Sequence, residues 1–235
     1  MVFMNLIQAI RKILVPIHFH GWPFIVSFAA FTIIIGMWSY GLLWFGAILT
    51  VWCAYFFRDP ERVTPIDPNL LISPADGLVS AICEMSPPPE LELENEVMLR
   101  LSIFMNIFDC HVNRMPIGGE VIKSVHRNGQ FMNAALDKAS EQNERQSLVL
   151  KTIHGNIGIV QIAGFVARRI VCWVKPTMKV EAGMRFGIIR FGSRVDLFLP
   201  KDANIRVEIG QKTVAGETVI AEFNSTKPPL LVCRT

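Results

Sequence analysis

The sequence predicts a mainly β domain, a sandwich or barrel of short strands, behind an N-terminal helical hairpin that seeks the membrane. Charge placement is the first observation: of 43 charged side chains, only Arg11 and Lys12 fall within residues 1–57. The second is an apolar run over residues 22–57 without one charge. It lacks the polar face that a soluble helix keeps. The third is a change of texture after residue 60, where short Val- and Ile-rich runs alternate with turn residues. Two domains follow, 1–57 and 58–235. The second carries 21 basic and 20 acidic residues, a proportion ordinary for a globular domain.

Along the chain, residues 1–16 read as a short amphipathic helix with Leu6, Ile10, Ile13 and Leu14 on its apolar side. As one helix, residues 22–57 would run about 54 Å, well beyond a hydrocarbon core of about 30 Å. Ser39-Tyr40-Gly41 near the middle predicts a break into two arms of about 17 residues, the lower limit for spanning. Arg11 and Lys12 precede the run and Arg58 and Arg62 follow it. The positive-inside rule then puts both ends on the cytoplasmic face of the cell membrane. Trp22, Trp38, Trp44 and Trp52 are its interfacial anchors. Full spanning and shallow insertion both remain open, while the run is too long and too far from the start for a cleaved signal peptide.

Arg58-Asp59-Pro60-Glu61-Arg62 with Pro65, Pro68 and Pro74 makes a linker that cannot continue a helix. Beyond it, strands are predicted over 77–83, 97–104, 119–125, 147–152, 156–163, 165–174, 187–190, 194–199 and 204–209. Gly118-Gly119, Asn128-Gly129 and His154-Gly155 supply turns between them. Residues 133–145 form the exception, a polar segment whose Glu141 and Arg145 have helical i,i+4 spacing, read as one or two helical turns or an ordered loop.

Several function classes fall away. The net charge of +3 leaves no broad electrostatic footprint for nucleic acid. Five scattered cysteines with no CxxC pair indicate neither a zinc site nor a disulfide framework, so no metal is expected and a reduced, cytosol-facing domain is.

Three segments carry chemistry. Gly192-Ser193 interrupts a strand-like run with no loop around it, as a β-bulge or a close backbone approach does. Asp109-Cys110-His111-Val112-Asn113-Arg114 clusters polar side chains behind an apolar strand. On an extended chain Asp109 and His111 point to one face, where a carboxylate fixes the imidazole's tautomer. Ser73-Pro74-Ala75-Asp76-Gly77 is an acidic turn before a strand, and a turn-capping role is the ordinary one for such an aspartate.

Together SPADG (73–77), DCHVNRMP (109–116), NER (143–145), ARR (167–169) and GMRFGIIRFGSRVDLFLP (183–200) resemble the phosphatidylserine decarboxylase family in its short form. The resemblance implies self-cleavage at Gly192-Ser193 into a β chain, 1–192, and an α chain, 193–235. Ser193 would become a covalent pyruvoyl group that serves as the electron sink for decarboxylation. Its substrate would be a membrane phospholipid, converted to phosphatidylethanolamine and CO2. Asp76 matches the family's acidic residue that supports the self-cleavage base, and Asp109 and His111 match the positions tied to decarboxylation. Asn113 and Arg114 stand as substrate-binding residues, Arg114 through a planar fork suited to phosphate or carboxylate. In longer relatives a second histidine occupies the position of Arg114 and activates the serine. Here either His111 does both jobs or another group supplies the base. Oligomeric state stays open, with a homo-oligomer admitted.

Two readings of other classes use the same residues. A membrane-anchored hydrolase would join Ser193, His111 and Asp76 in a conventional triad. A non-catalytic membrane-tethered β module would treat Gly192-Ser193 as a bulge.

Overall fold

The computed structural model describes residues 15–93, 97–129, 143–164, 169–190, 193–226 and 228. The chain divides into two compact units between Glu61 and Arg62. The amphipathic helix expected over 1–16 falls almost wholly outside the described residues.

The first unit is a helical hairpin of α1 (Trp22–Gly36) and α2 (Tyr40–Phe56). Pro23 sits in the first turn of α1, where its missing N–H costs nothing. The chain breaks where the sequence places the break: Ser39 is extended, and its hydroxyl accepts from Gly41 N at 3.2 Å to cap α2. Small residues line the seam. A Cβ on Gly46 would come within 2.5 Å of Thr32 Oγ1, and one on Gly36 within 2.6 Å of a Leu43 methyl. Thr32 and Thr50 hydroxyls meet across it at 3.2 Å, the kind of close small-residue contact that holds helices together in lipid. His18 N donates to Phe57 O and Asp59 N to Pro16 O, which clasps the open end. The turn between the helices leaves Met37 and Trp38 exposed, and the outer face of α2 leaves Trp44, Ile48 and Val51 exposed. By length and composition, Phe19–Gly36 can cross a membrane.

The second unit is mainly β. Fourteen strands occur among the described residues: β1 (Leu70–Ile72), β2 (Gly77–Met85), β3 (Met98–Met105), β4 (Val112–Arg114), β5 (Gly119–Arg127), β6 (Arg145–Thr152), β7 (Gly155–Ala163), β8 (Ile170–Cys172), β9 (Lys179–Val180), β10 (Arg185–Ile189), β11 (Ser193–Leu199), β12 (Asn204–Ile205), β13 (Lys212–Thr213) and β14 (Val219–Glu222). Eight make an antiparallel sheet in the order β13-β2-β3-β11-β7-β6-β5-β9. Two three-stranded sheets, β1-β14-β12 and β4-β10-β8, complete the unit. One apolar cluster joins all three sheets, with Leu71, Ile103, Leu148, Ile159, Phe186, Val195, Leu197 and Ile220 fully or almost fully buried in it.

The longer predicted strands are present. Short ones (β1, β4, β9, β13 and β14) escape pattern reading, since two to four residues cannot display a period. Three expectations need correction. Arg145 is the first residue of β6, not the helical partner of Glu141, which lies outside the described residues. Of the span 165–174 only Ile170–Cys172 is strand among the described residues, and of 204–209 only Asn204–Ile205. The strand-like run 187–199 is not one strand: β10 ends at Ile189 in a small sheet, and β11 starts at Ser193 in the large one. Gly192 itself lies outside the described residues.

Candidate active site

β11 is buried on every residue because β3 and β7 flank it on both edges. Alternation separates its side chains: Ser193, Val195, Leu197 and Leu199 face the apolar cluster, while Arg194 and Asp196 face the other way. Those two charges satisfy each other, Arg194 Nε lying 2.8 Å and Nη2 3.0 Å from the Asp196 carboxylate.

Ser193 heads the strand opposite Met105 of β3 and Ala163 of β7. It has no exposed surface. Its hydroxyl lies 3.9 Å from Met105 Sδ, and a thioether is a weak acceptor. Asn113 Nδ2 reaches the same sulfur at 3.6 Å. Asn113 Oδ1 accepts from Gln161 Nε2 at 2.7 Å, and Gln161 Oε1 is buried without a hydrogen-bond partner. Gln161 pairs with Val195 on β11, so its side chain leaves the same sheet face as Ser193. This amide pair was not legible in the sequence, because Gln161 stands among apolar strand residues and its partner comes from another sheet.

Asn143 and Glu144 of the NER segment hold the strand end beside Ser193. Asn143 Nδ2 donates to Ala163 O at 2.7 Å, and Ala163 N donates to Glu144 O at 3.0 Å.

His111 is fully buried two residues before Asn113, and Ile189 N donates to its carbonyl at 3.3 Å. That spacing directs His111 and Asn113 to one face of the small sheet. The expected carboxylate–imidazole contact takes a different form. Residues 107–109 turn rather than extend, and His111 Nδ1 lies 3.0 Å from the backbone oxygen of Asp109. The Asp109 carboxylate accepts from Asn106 N at 2.8 Å and closes that turn.

Asp76 emerges at the same end of the large sheet, since Leu78 pairs with Phe104 and Phe104 with Arg194. Gly77 must be glycine here, as a Cβ would lie 2.3 Å from Phe104 O. The Asp76 carboxylate takes two hydrogen bonds from Arg62 Nη2, at 2.7 and 3.0 Å, and one from Ala215 N at 2.8 Å. Arg62, noted in the sequence only as a flanking charge, is thus part of this end of the fold. Arg114 is buried and donates to Gly183 O at 3.0 Å. Its stem fills the space that a side chain at Gly216 would need, where φ is +78°. Asp76 is thus held by Arg62 and Ala215, Ser193 lies against Met105 Sδ, and the His111 ring meets Asp109 O.

At the mouth of β10, Arg190 N donates to Arg169 O at 3.3 Å. Partial burial, and then the neighbouring Arg169 charge, hold the Arg190 guanidinium below the usual arginine range.

A buried serine at a strand head and a buried amide pair therefore meet at Met105 Sδ between two sheets, and a buried histidine stands two residues before Asn113 in the chain. The family model of phosphatidylserine decarboxylase matches residues 49–221, well over half of the chain and all of these positions. The chain belongs to the phosphatidylserine decarboxylase family and is a decarboxylase.

Proposed function

We propose that the chain cleaves itself between Gly192 and Ser193 and decarboxylates phosphatidylserine with a pyruvoyl group made from Ser193. One observation carries this reading: Ser193 is fully buried at the head of an interior strand. A nucleophile that attacks an external lipid needs an open approach, whereas one that attacks the carbonyl before it needs none. Ser193 Oγ bonds to the Gly192 carbonyl carbon as the C–N bond breaks and the nitrogen takes a proton, which gives an ester. Loss of the Ser193 α-proton then expels the Gly192 carboxylate. Water displaces the nitrogen as ammonia, and residues 1–192 and 193–235 become the two chains.

The surroundings of Ser193 fit a small carbonyl group. Asn113 Nδ2 rests on a sulfur that a carbonyl oxygen would outcompete as acceptor, and Gln161 adds a second amide. The pyruvoyl carbonyl supplies an electron sink for the carbanion left by CO2.

The remaining work belongs to side chains. His111, its ring held at Nδ1 by Asp109 O, carries a proton to the substrate α-carbon after CO2 leaves. Asp109 acts through its backbone as the orienter of that ring. Asp76 holds the strand end through Arg62 and Ala215 during cleavage, and Arg114 braces the Gly183 turn beside it. Basic flanks place both ends of the hairpin on the cytoplasmic face of the cell membrane, where the phospholipid substrate resides.

Intact mass of the purified protein tests the cleavage. At the chain's mean residue mass (26.4 kDa over 235 residues), the C-terminal piece weighs about 4.8 kDa. Ser193→Ala is expected to stay whole and inactive. A wild-type protein that decarboxylates phosphatidylserine while remaining at 26.4 kDa overturns the proposal.

A further inference from the structure

The polarity of the amide pair beside Ser193 is set by one atom. Met105 Sδ accepts hydrogen bonds and has none to give, so Asn113 must turn Nδ2 toward it. Asn113 then presents Oδ1, which accepts from Gln161 Nε2 at 2.7 Å. Gln161 is left showing Oε1, a carbonyl oxygen inside the protein with no donor among the described residues. Its residue has no exposed surface. A buried acceptor left unpaired is costly, and native proteins retain few of them.

Glycine at 187 makes room for this amide. A Cβ on Gly187 of β10 would come 2.7 Å from Val171 O, 2.8 Å from Gln161 Nε2 and 3.2 Å from Oε1. The Gln161 amide therefore lies directly against the backbone of β10, between the two sheets. Gln161 sits two residues from Ala163, which pairs with Ser193, so its amide lies near the atom that becomes the reactive group. The chemistry that belongs in such a place is a hydrogen-bond donor. The phosphatidylserine headgroup has a primary amine as its nitrogen donor.

We propose that Gln161 Oε1 is the acceptor that receives the substrate's primary amine and directs it at the carbonyl formed from Ser193. This rests on the pyruvoyl reading and adds the residue that selects an amine bearing N–H over one that has none. Gln161 is a binding and positioning residue, and Asn113 fixes which of its two amide atoms faces the ligand.

The test uses the full-length protein in detergent. Glycerophosphoethanolamine, which carries the primary amine, is added with cyanoborohydride, and capture is read as a mass increase on the C-terminal piece. Wild-type protein is expected to be labelled, and Gln161→Leu to need about 10–100-fold more amine for half-labelling. Gln161→Glu, which retains an acceptor oxygen, should recover most of the loss. Gly187→Ala, whose Cβ would displace the Gln161 amide, should reproduce the leucine defect, so one poorly folding variant does not decide the matter. As competitor of phosphatidylserine turnover, glycerophosphocholine, without an N–H, should inhibit wild type and Gln161→Leu alike. Equal labelling of wild type, Gln161→Leu and Gly187→Ala overturns the role of Gln161 while leaving the pyruvoyl group standing. A cleaved wild type that is never labelled overturns the carbonyl reading, and this proposal falls with it.

Discussion

Ser193 and His111 show how much of a residue's chemistry depends on its surroundings rather than its type. His111 is buried with Nδ1 near a backbone oxygen. Under the proposed mechanism its proton is needed after CO2 leaves, not during cleavage. His111→Ala should therefore still split into two chains on a gel, while phosphatidylserine turnover falls by about 100- to 10,000-fold. Accumulation of whole chain would assign His111 to the first step as well. The cysteines make a second contrast. Cys83 is exposed, whereas burial pushes the Cys172 thiol upward, only partly offset by a backbone hydrogen bond at Val174. Because the thiolate reacts, iodoacetamide near pH 8 should modify Cys83 first, and Cys172 should follow only as pH rises further. Peptide mass mapping of timed samples reads this order.

At the scale of elements, the face of the large sheet opposite the apolar cluster depends on a single 3-10 turn, Pro89–Leu91. Leu91 packs there with Val149, Val160, Ile162 and Phe198. Its neighbour Glu90 is half-buried, with a side chain only 9% exposed, and its carboxylate is bound to Arg145, at 2.9 Å through Nη2, and to Ser147 Oγ at 3.1 Å. Removing one partner of a buried pair strands the other charge. Glu90→Ala should lower stability by about 3–5 kcal/mol, seen as a lower Tm in a thermal melt, and Glu90→Gln should lose less. The hairpin follows another rule, since small residues at 32, 36 and 46 rather than charges set the approach of its helices.

For the whole molecule, the proposed cleavage divides the chain at β11 without dividing the fold. The piece that starts at Ser193 supplies β11 between β3 and β7, β13 at the edge beside β2, and β12 and β14 to a small sheet. Val195, Leu197, Leu199, Ile220 and Phe223 from that piece sit in the common apolar cluster. Covalent continuity is then unnecessary, because separation would expose the centre of the core to water. The two pieces should co-elute from a size-exclusion column at neutral pH and part only in denaturant. Elution of the small piece on its own would contradict that packing.

The uncharged hairpin, its break at Ser39, the β character of the remainder and the motif around Ser193 were all legible in the sequence. Each is local: hydropathy, turn residues and ordered motifs are written in consecutive positions. What lay beyond reach came from pairings between distant segments. Arg62 meets Asp76, Gln161 meets Asn113, and Met105 shares its sulfur between Asn113 and Ser193. Asp109 orients His111 through a backbone atom, which no side-chain pattern can announce. The sequence alone determined which groups the chain carries and that a serine follows a glycine at the end of an apolar run. Only the tertiary structure decided that this serine is buried at the head of an interior strand, because β3 and β7 close on it from positions dozens of residues away.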